Sequence, residues 1–388
     1  MKTRWRHYFS RALTSSTNAK GENSETISTD LITEILLRLP GKSVARSRCV
    51  SKLWNSTLRG QYFTELFLTM SLARPRLLFS FRKDRKLCFF SAPQGESSSS
   101  PVTADYHLKF KLDDSYEVCG HVRGLVCLAD LRDVKGRKGT APVICSPSTG
   151  QLLPLPKVKT NKSFFSVRSF LGFDPTDEEF KVLMITDGIE HRVLTLGTRK
   201  LEWRMVECGI PRHHPLSDGE ICINGGVYYI ARFLGPGHQY ILAIVCFDVR
   251  LEKCRVVNED ESMRLGCPTL VNYKGKLGAL FGGSRRFELW VLEDAETHQW
   301  SKHVSVLPQP LWENLVRKAK LYIVGVAGGT DEVVLWPRSV YDPFYVYYYS
   351  MERNTLRRVV IKGMDAVSDY TKHMTLNYVE DVKFMEHV

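Results

Sequence analysis

The chain has 388 residues, 43% of them hydrophobic and 25% charged, with a net charge of +12. These proportions exclude wholesale disorder and a collagen-like repeat, and the length suggests two or three domains, or one large domain with an appendage. The longest uninterrupted apolar run is Tyr240 to Phe247, far short of the ~20 residues needed to span a bilayer, so no membrane partner is expected.

Lys2, Arg4, Arg6, Arg11 and Lys20 fall in the first twenty residues, which hold no acid. A nucleic-acid arm, a nuclear import signal, an Arg-rich transit peptide or a solvated tail would all look like this. Residues 1–24 read as a basic flexible tail, and their scattered charges do not fit a secretory signal. The remaining chain has no dense basic block, so nucleic acid is not expected as a partner.

Residues 25–68 are helical in pattern. In STDLITEILLRLP, Ser28 or Thr29 can cap the helix and Asp30 suits its positive end. Leu31, Ile32, Ile35, Leu36 and Leu39 form one apolar stripe, which Pro40 and Gly41 end. A short segment, KSVARSR, follows. Then CVSKLWNSTL carries Val50, Leu53, Trp54 and Leu58 at helical spacing, and Tyr62, Phe63, Leu66 and Phe67 continue the pattern towards Pro75. Three helices of this size bury too little surface to stand alone, yet they hold more large apolar residues than they can hide from one another. The surplus packs either on the following domain or on a separate protein.

The run DLITEILLRLPGKSVARSRCVSKLWNSTL resembles the F-box of the large plant F-box family. The resemblance implies docking to the small adaptor subunit of an SCF-type cullin–RING ubiquitin ligase, with the helical hairpin inserted among the adaptor's C-terminal helices. It places Leu31, Ile32, Ile35, Leu36, Leu39, Pro40, Val44, Cys49, Val50, Leu53 and Trp54 at the positions that build or face that interface. Two residues depart from the family pattern. Ser28 stands where proline is usual, and Ser47 where a bulky apolar residue is usual. Ser28 can still cap the helix. Ser47 removes apolar area worth ~1.5–3 kcal/mol if that position is buried, so adaptor binding is expected to be weaker than in typical members.

Beyond Pro75 the chain reads as short strands and turns. Apolar segments opening at Gly124, Phe170, Ile221, Thr269 and Leu321 recur 46, 51, 48 and 52 residues apart. Each is followed by a hairpin: VICSPSTGQLLPLP, VLTLGTRKLEWRMVE, VCFDVRLEKCRVV, LWVLEDAETHQWSKHV and VYYYSMERNTLRRVVI. Trp203 and Trp300 take matching places after their turns. A period near fifty with about four strands per unit predicts a kelch-like β-propeller in preference to a large sandwich. Five units are countable. A sixth blade can be shared between the chain ends, from RLLFSFRKDRKLCFFSA and HMTLNYVEDVKFM, with the Ser-rich SAPQGESSSSPVTADY as a loop between. This half resembles the F-box-associated domain of the same family, through RPRLLFSF, FLGFDP, HQWSKHV and NYVEDVKF. In that family the domain captures substrate.

Signs of chemistry are sparse. No HExxH, phosphate-loop lysine motif, GxSxG or complete GxGxxG occurs. Ten cysteines include no CxxC pair, and most sit in apolar runs, as expected of core residues in the cytoplasm or nucleus. The pair His213–His214, in an apparent polar loop before Pro215, has no carboxylate or cysteine at ligand spacing. Asp174, Asp177, Glu178 and Glu179 read as a solvated turn. Gly282-Gly283-Ser284 and Gly328-Gly329-Thr330 read as strand-joining turns, and the aromatic run Phe344 to Tyr349 as blade packing. No catalytic residue, cofactor or metal is expected.

The resulting expectation is a multi-domain chain: an all-α three-helix F-box at 25–68, then an all-β propeller-like domain of five to six blades at 75–388. The F-box would dock the ligase adaptor and the propeller would bind an unidentified target protein. A propeller interaction module without ligase activity is the alternative, and an enzymatic propeller with titratable groups at its central channel is a third class.

Overall fold

The structure, a computed structural model, describes residues 28–383 except 84–85, 96–100, 112–115, 131–140, 159–166, 217–218, 259, 261–262, 264–266, 283–284, 317–319, 338–342 and 365–371. The basic tail lies outside the described residues. No described helix is long and apolar enough to cross a membrane. The chain forms two compact units, Met1–Arg38 and Leu39–Val388, so the division falls after the first helix.

In the first unit, α1 spans Thr29–Leu37. Ser28 is its N-cap, the Ser28 hydroxyl accepting from the Leu31 N–H at 3.3 Å. In the second unit come α2 (Gly41–Ser47), α3 (Lys52–Arg59) and α4 (Gln61–Leu72). Ser51 caps α3 by accepting from the Trp54 N–H at 3.1 Å.

The rest is a six-bladed propeller built from six antiparallel sheets. Their innermost strands, Tyr116–Val122, Val167–Asp174, Ile221–Ile223, Thr269–Tyr273, Leu321–Val326 and Lys372–Tyr378, neighbour one another in a closed ring. The last of these comes from the C-terminal end and pairs antiparallel with Arg76–Lys83. Blade I thus joins the two ends of the domain, its remaining strands being Lys86–Pro93 and Asp105–Lys111, and blades II to VI follow in chain order from the strand Tyr116–Val122. Closure removes the open sheet edges that would otherwise pair with other chains. Between two strands of blade I the chain crosses to blade VI, where Val102–Thr103 pairs in parallel with the outermost strand, Thr355–Lys362.

Each blade is covered on both faces by its neighbours, so its middle strands are buried along nearly their whole length, as in Glu179–Thr186, where only Glu179 is exposed, and Phe344–Ser350, where only Tyr345 is half-buried. This is why they read as continuous apolar runs rather than alternating ones. The aromatic run packs the blades: Phe344, Tyr347, Tyr348 and Tyr349 are all buried. Phe79 of blade I meets Trp336 and Phe344 of blade VI at centroid distances of 5.7 and 6.0 Å, sealing the closure.

All five predicted hairpins form the outer strand pairs of blades II to VI. Two of their turns share a device: Asp248 Oδ1 accepts from the Arg250 and Leu251 N–H groups, and Asp294 Oδ1 from Glu296 and Thr297. Trp203 and Trp300 are equivalent in three dimensions. Each indole N–H donates to a carbonyl just beyond the outermost strand of the preceding blade, Pro156 at 2.8 Å and Asn258 at 2.9 Å.

Three expectations are corrected. Gly124 does not open blade II, because Tyr116–Val122 precedes it as the innermost strand. His213 is not in a solvated loop but on the edge strand His213–Pro215, fully buried and 3.0 Å from the Tyr229 hydroxyl. Asp174 is buried, its carboxylate accepting from the Thr176 N–H at 2.9 Å within the acidic turn. Part of the Ser-rich loop, Gly283-Ser284 and Asp342 lie outside the described residues.

Candidate protein-docking surface

Among the exposed apolar residues of the helices, those at the predicted interface positions form two patches, while Tyr62 and Leu72 are exposed on α4. On α1, Leu31 and Ile35 are 55% and 56% exposed. They lie four residues apart and therefore on one face. Leu36, on another face, is 3% exposed, and Ile32 is half-buried.

The second patch is the corner between α2 and α3. Cys49 is exposed there, and Val50 and Leu53 are 65% and 64% exposed. Pro40 is exposed, while Leu39 and Trp54 are half-buried. Val44 is fully buried. Like Leu36, it can shape a docking face only from beneath and is not available for contact. Ser47 is half-buried and turns its hydroxyl back to the Ser43 carbonyl at 2.9 Å, satisfying its polarity within the helix.

The corner is rigidly held. The Gly41 N–H, at the start of α2, donates to Glu380 Oε2 at 3.1 Å. A Cβ on Gly41 would come within 3.0 Å of the Ser148 Cβ, so the helix start lies directly on blade II. Lys42 Nζ donates to the Tyr106 carbonyl at 2.9 Å and sits 4.5 Å from the Tyr106 ring centre. Arg48 is buried, and its Nη2 donates to the Leu58 carbonyl at 3.0 Å and to the Val382 carbonyl. The segment 379–383 is therefore a hook beneath the helices. On its other side, Gly124 (φ +83°) leaves room for Asp381, whose Cβ would be 2.8 Å from any Cβ placed there.

Burial sets the electrostatics of this junction. Desolvation, with a smaller contribution from Arg59, lowers the Arg48 guanidinium to about 10. Desolvation raises both Glu380 and Asp381. His107, 2.7 Å from the Ser91 hydroxyl, is held down to about 3 by burial and then by the Arg76 and Lys42 charges, so it is neutral at physiological pH. Sequence reasoning missed Arg48, Glu380 and Asp381. The segment HMTLNYVEDVKFM suggested one strand, whereas the strand stops at Tyr378.

On the propeller, a groove of about 700 Å³ across blades V and VI is lined by Tyr273, Lys274, Glu293, His303 and Glu352 among others. Its charges pair with one another, as in Lys274–Glu352 at 3.6 Å and Lys276–Glu293 at 2.5 Å, so it favours a ligand of neither sign.

Comparison with known proteins agrees with this layout. Residues 26–66 match the F-box domain family, and residues 76–388 match the F-box associated beta propeller domain family. The chain is 47% identical to F-box protein DOR of Arabidopsis thaliana over 94% of its length and 96% of the relative's. It is 44% identical to F-box protein At5g65850 of Arabidopsis thaliana, over 95% of this chain and 93% of that one. TolB from Acinetobacter baumannii overlays with a TM-score of 0.40 at 11% identity, over 79% of this chain and 70% of that one, too loose a likeness to bear on function. The chain belongs to the F-box family whose members carry an F-box associated β-propeller domain.

Proposed function

We propose that this protein is the substrate-recognition subunit of an SCF-type cullin–RING ubiquitin ligase. Its F-box helices dock the adaptor subunit, and its propeller presents a target protein whose identity is not encoded in the blade pattern. In this reading the chain makes and breaks no bonds itself. It supplies proximity, raising the effective concentration of target lysines near the ubiquitin donor.

The observation that carries the reading is the exposed apolar corner of Cys49, Val50 and Leu53, held on a rigid base within a matched F-box domain. Large apolar side chains fixed in water are costly to keep unless a partner covers them, and full burial of each is worth about 1.5–3 kcal/mol. The Leu31–Ile35 face of α1 is a second patch of the same kind.

Co-expression with the adaptor tests this. Wild-type protein is expected to co-purify with the adaptor and cullin, and a Val50→Asp/Leu53→Asp variant to lose both while remaining folded. A folded wild-type protein that captures no adaptor would leave only the interaction-module reading.

A further inference from the structure

Three buried side chains outside the helical corner converge at the seam of blades III and IV. His191 is on the blade III strand Glu190–Thr195, and Cys208 follows that blade's outermost strand, Arg204–Val206. Cys254 is on the outermost strand of blade IV, Lys253–Val257. The three ligand-capable atoms, one imidazole nitrogen and two Sγ, all lie within 4.8 Å of one another. The Cys254 N–H donates to the Cys208 carbonyl at 3.2 Å, fixing the two backbones side by side.

The imidazole is set up as a ligand. His191 Nδ1 lies 2.9 Å from the Ile189 carbonyl, which can only accept, so Nδ1 carries the proton and Nε2 presents a lone pair. Nε2 is buried without a hydrogen-bond partner, in a residue that is 4% exposed. Metal-bound histidines are held in this way, the second ring nitrogen donating to a carbonyl. A buried acceptor left unsatisfied is costly, and a bound cation would relieve that cost.

We propose that His191, Cys208 and Cys254 bind a zinc ion that staples blade III to blade IV. On binding, the two thiols release their protons to solvent and the imidazole stays neutral. The ion's double charge is then cancelled by two thiolates, and the buried site carries no net charge. Two sulfurs and one nitrogen suit zinc rather than calcium or magnesium, which prefer oxygen, and monovalent copper would leave an uncompensated negative charge. With Zn–S of about 2.3 Å and Zn–N of about 2.0–2.1 Å, tetrahedral ligand atoms stand roughly 3.5–3.8 Å apart, so the cluster needs to close by only about 1 Å. The fourth position is left to water or to the Tyr229 hydroxyl, which adjoins Cys254.

The test uses the full chain in reducing buffer, equilibrated with Zn²⁺ alone, dialysed, and assayed for metal by mass spectrometry. About one zinc per chain is expected. A Cys49→Ser/Cys267→Ser variant, which removes the exposed thiols, should retain it, and a Cys208→Ser/Cys254→Ser variant should lose it. If the latter variant does not fold, Co²⁺ bound to the Cys49→Ser/Cys267→Ser protein decides. Thiolate-to-cobalt charge transfer with tetrahedral ligand-field bands supports the site. Folded wild-type protein without zinc, zinc retained by a folded Cys208→Ser/Cys254→Ser variant, or cobalt bound without charge transfer would overturn it.

Discussion

Val50 and Leu53 in the helical corner, and Val182 and Leu289 in the blades, are the same residue types with opposite fates. The first two are mostly in water, and the second two are fully buried. A blade is covered on both faces by its neighbours, so nearly every apolar residue on its middle strands has a place inside. The α2–α3 corner is supported from one side only, through Gly41, Val44 and Arg48, and the residues on its far side have nothing to pack on within the unit. Hydrophobicity alone therefore does not say what is buried. The number of covered faces does.

The comparison can be broken by truncation. Phe79→Ala, at the seam of blades I and VI, is expected to cost about 3–5 kcal/mol in denaturant unfolding, whereas Leu53→Ala should change stability by no more than about 0.5 kcal/mol. Comparable losses at both positions would erase the distinction between them.

The supported side of the corner is next in size. Arg48→Ala removes the donor that Leu58 and Val382 share. It should cost about 2–3 kcal/mol and raise hydrogen exchange in α3 while the blades stay protected. Gly124→Ala must adopt a positive φ and crowd Asp381. A loss of about 1–3 kcal/mol in melting studies is expected. An unchanged melting temperature would mean that the hook at 379–383 does not hold the helices.

The smallest effect is electrostatic. Unfolded, His107 takes a proton below about pH 6.5, but folded it resists until about 3. Its contribution to stability is complete above 6.5 and is lost as pH falls through that range. Glu380, raised by burial, acts with the opposite sign, because the folded state keeps its proton at higher pH. Melting curves between pH 7 and 5 should thus show His107→Gln flattening the acid loss and Glu380→Gln steepening it.

Much of this architecture was legible in the sequence because turn chemistry and strand pattern repeat. The hairpins with Asp248 and Asp294, the matching Trp203 and Trp300, and the sharing of blade I between the chain ends all follow from local signals at a fixed period. Less legible was Tyr116–Val122, where Gly120 and a bulge after Val118 break the alternation. His213 was obscured by the flanking Pro211 and Pro215. The roles of Glu380 and Asp381 depend on where the last strand ends, which no short-range pattern marks. His191 and Cys208 come from one blade, and Cys254 joins them only because the next blade stacks on it. Within the docking face, apolar identity was legible but exposure was not. Leu36 and Leu53 look alike in sequence, and only the packing separates them.

The most direct test of the central claim is a calorimetric titration of purified adaptor into the full chain, comparing wild type with Leu53→Asp at matched thermal stability. The account predicts at least a tenfold loss of affinity with an unchanged melting temperature. Equal affinity for the two proteins would contradict it, since the corner that water touches would then not be the surface the adaptor covers.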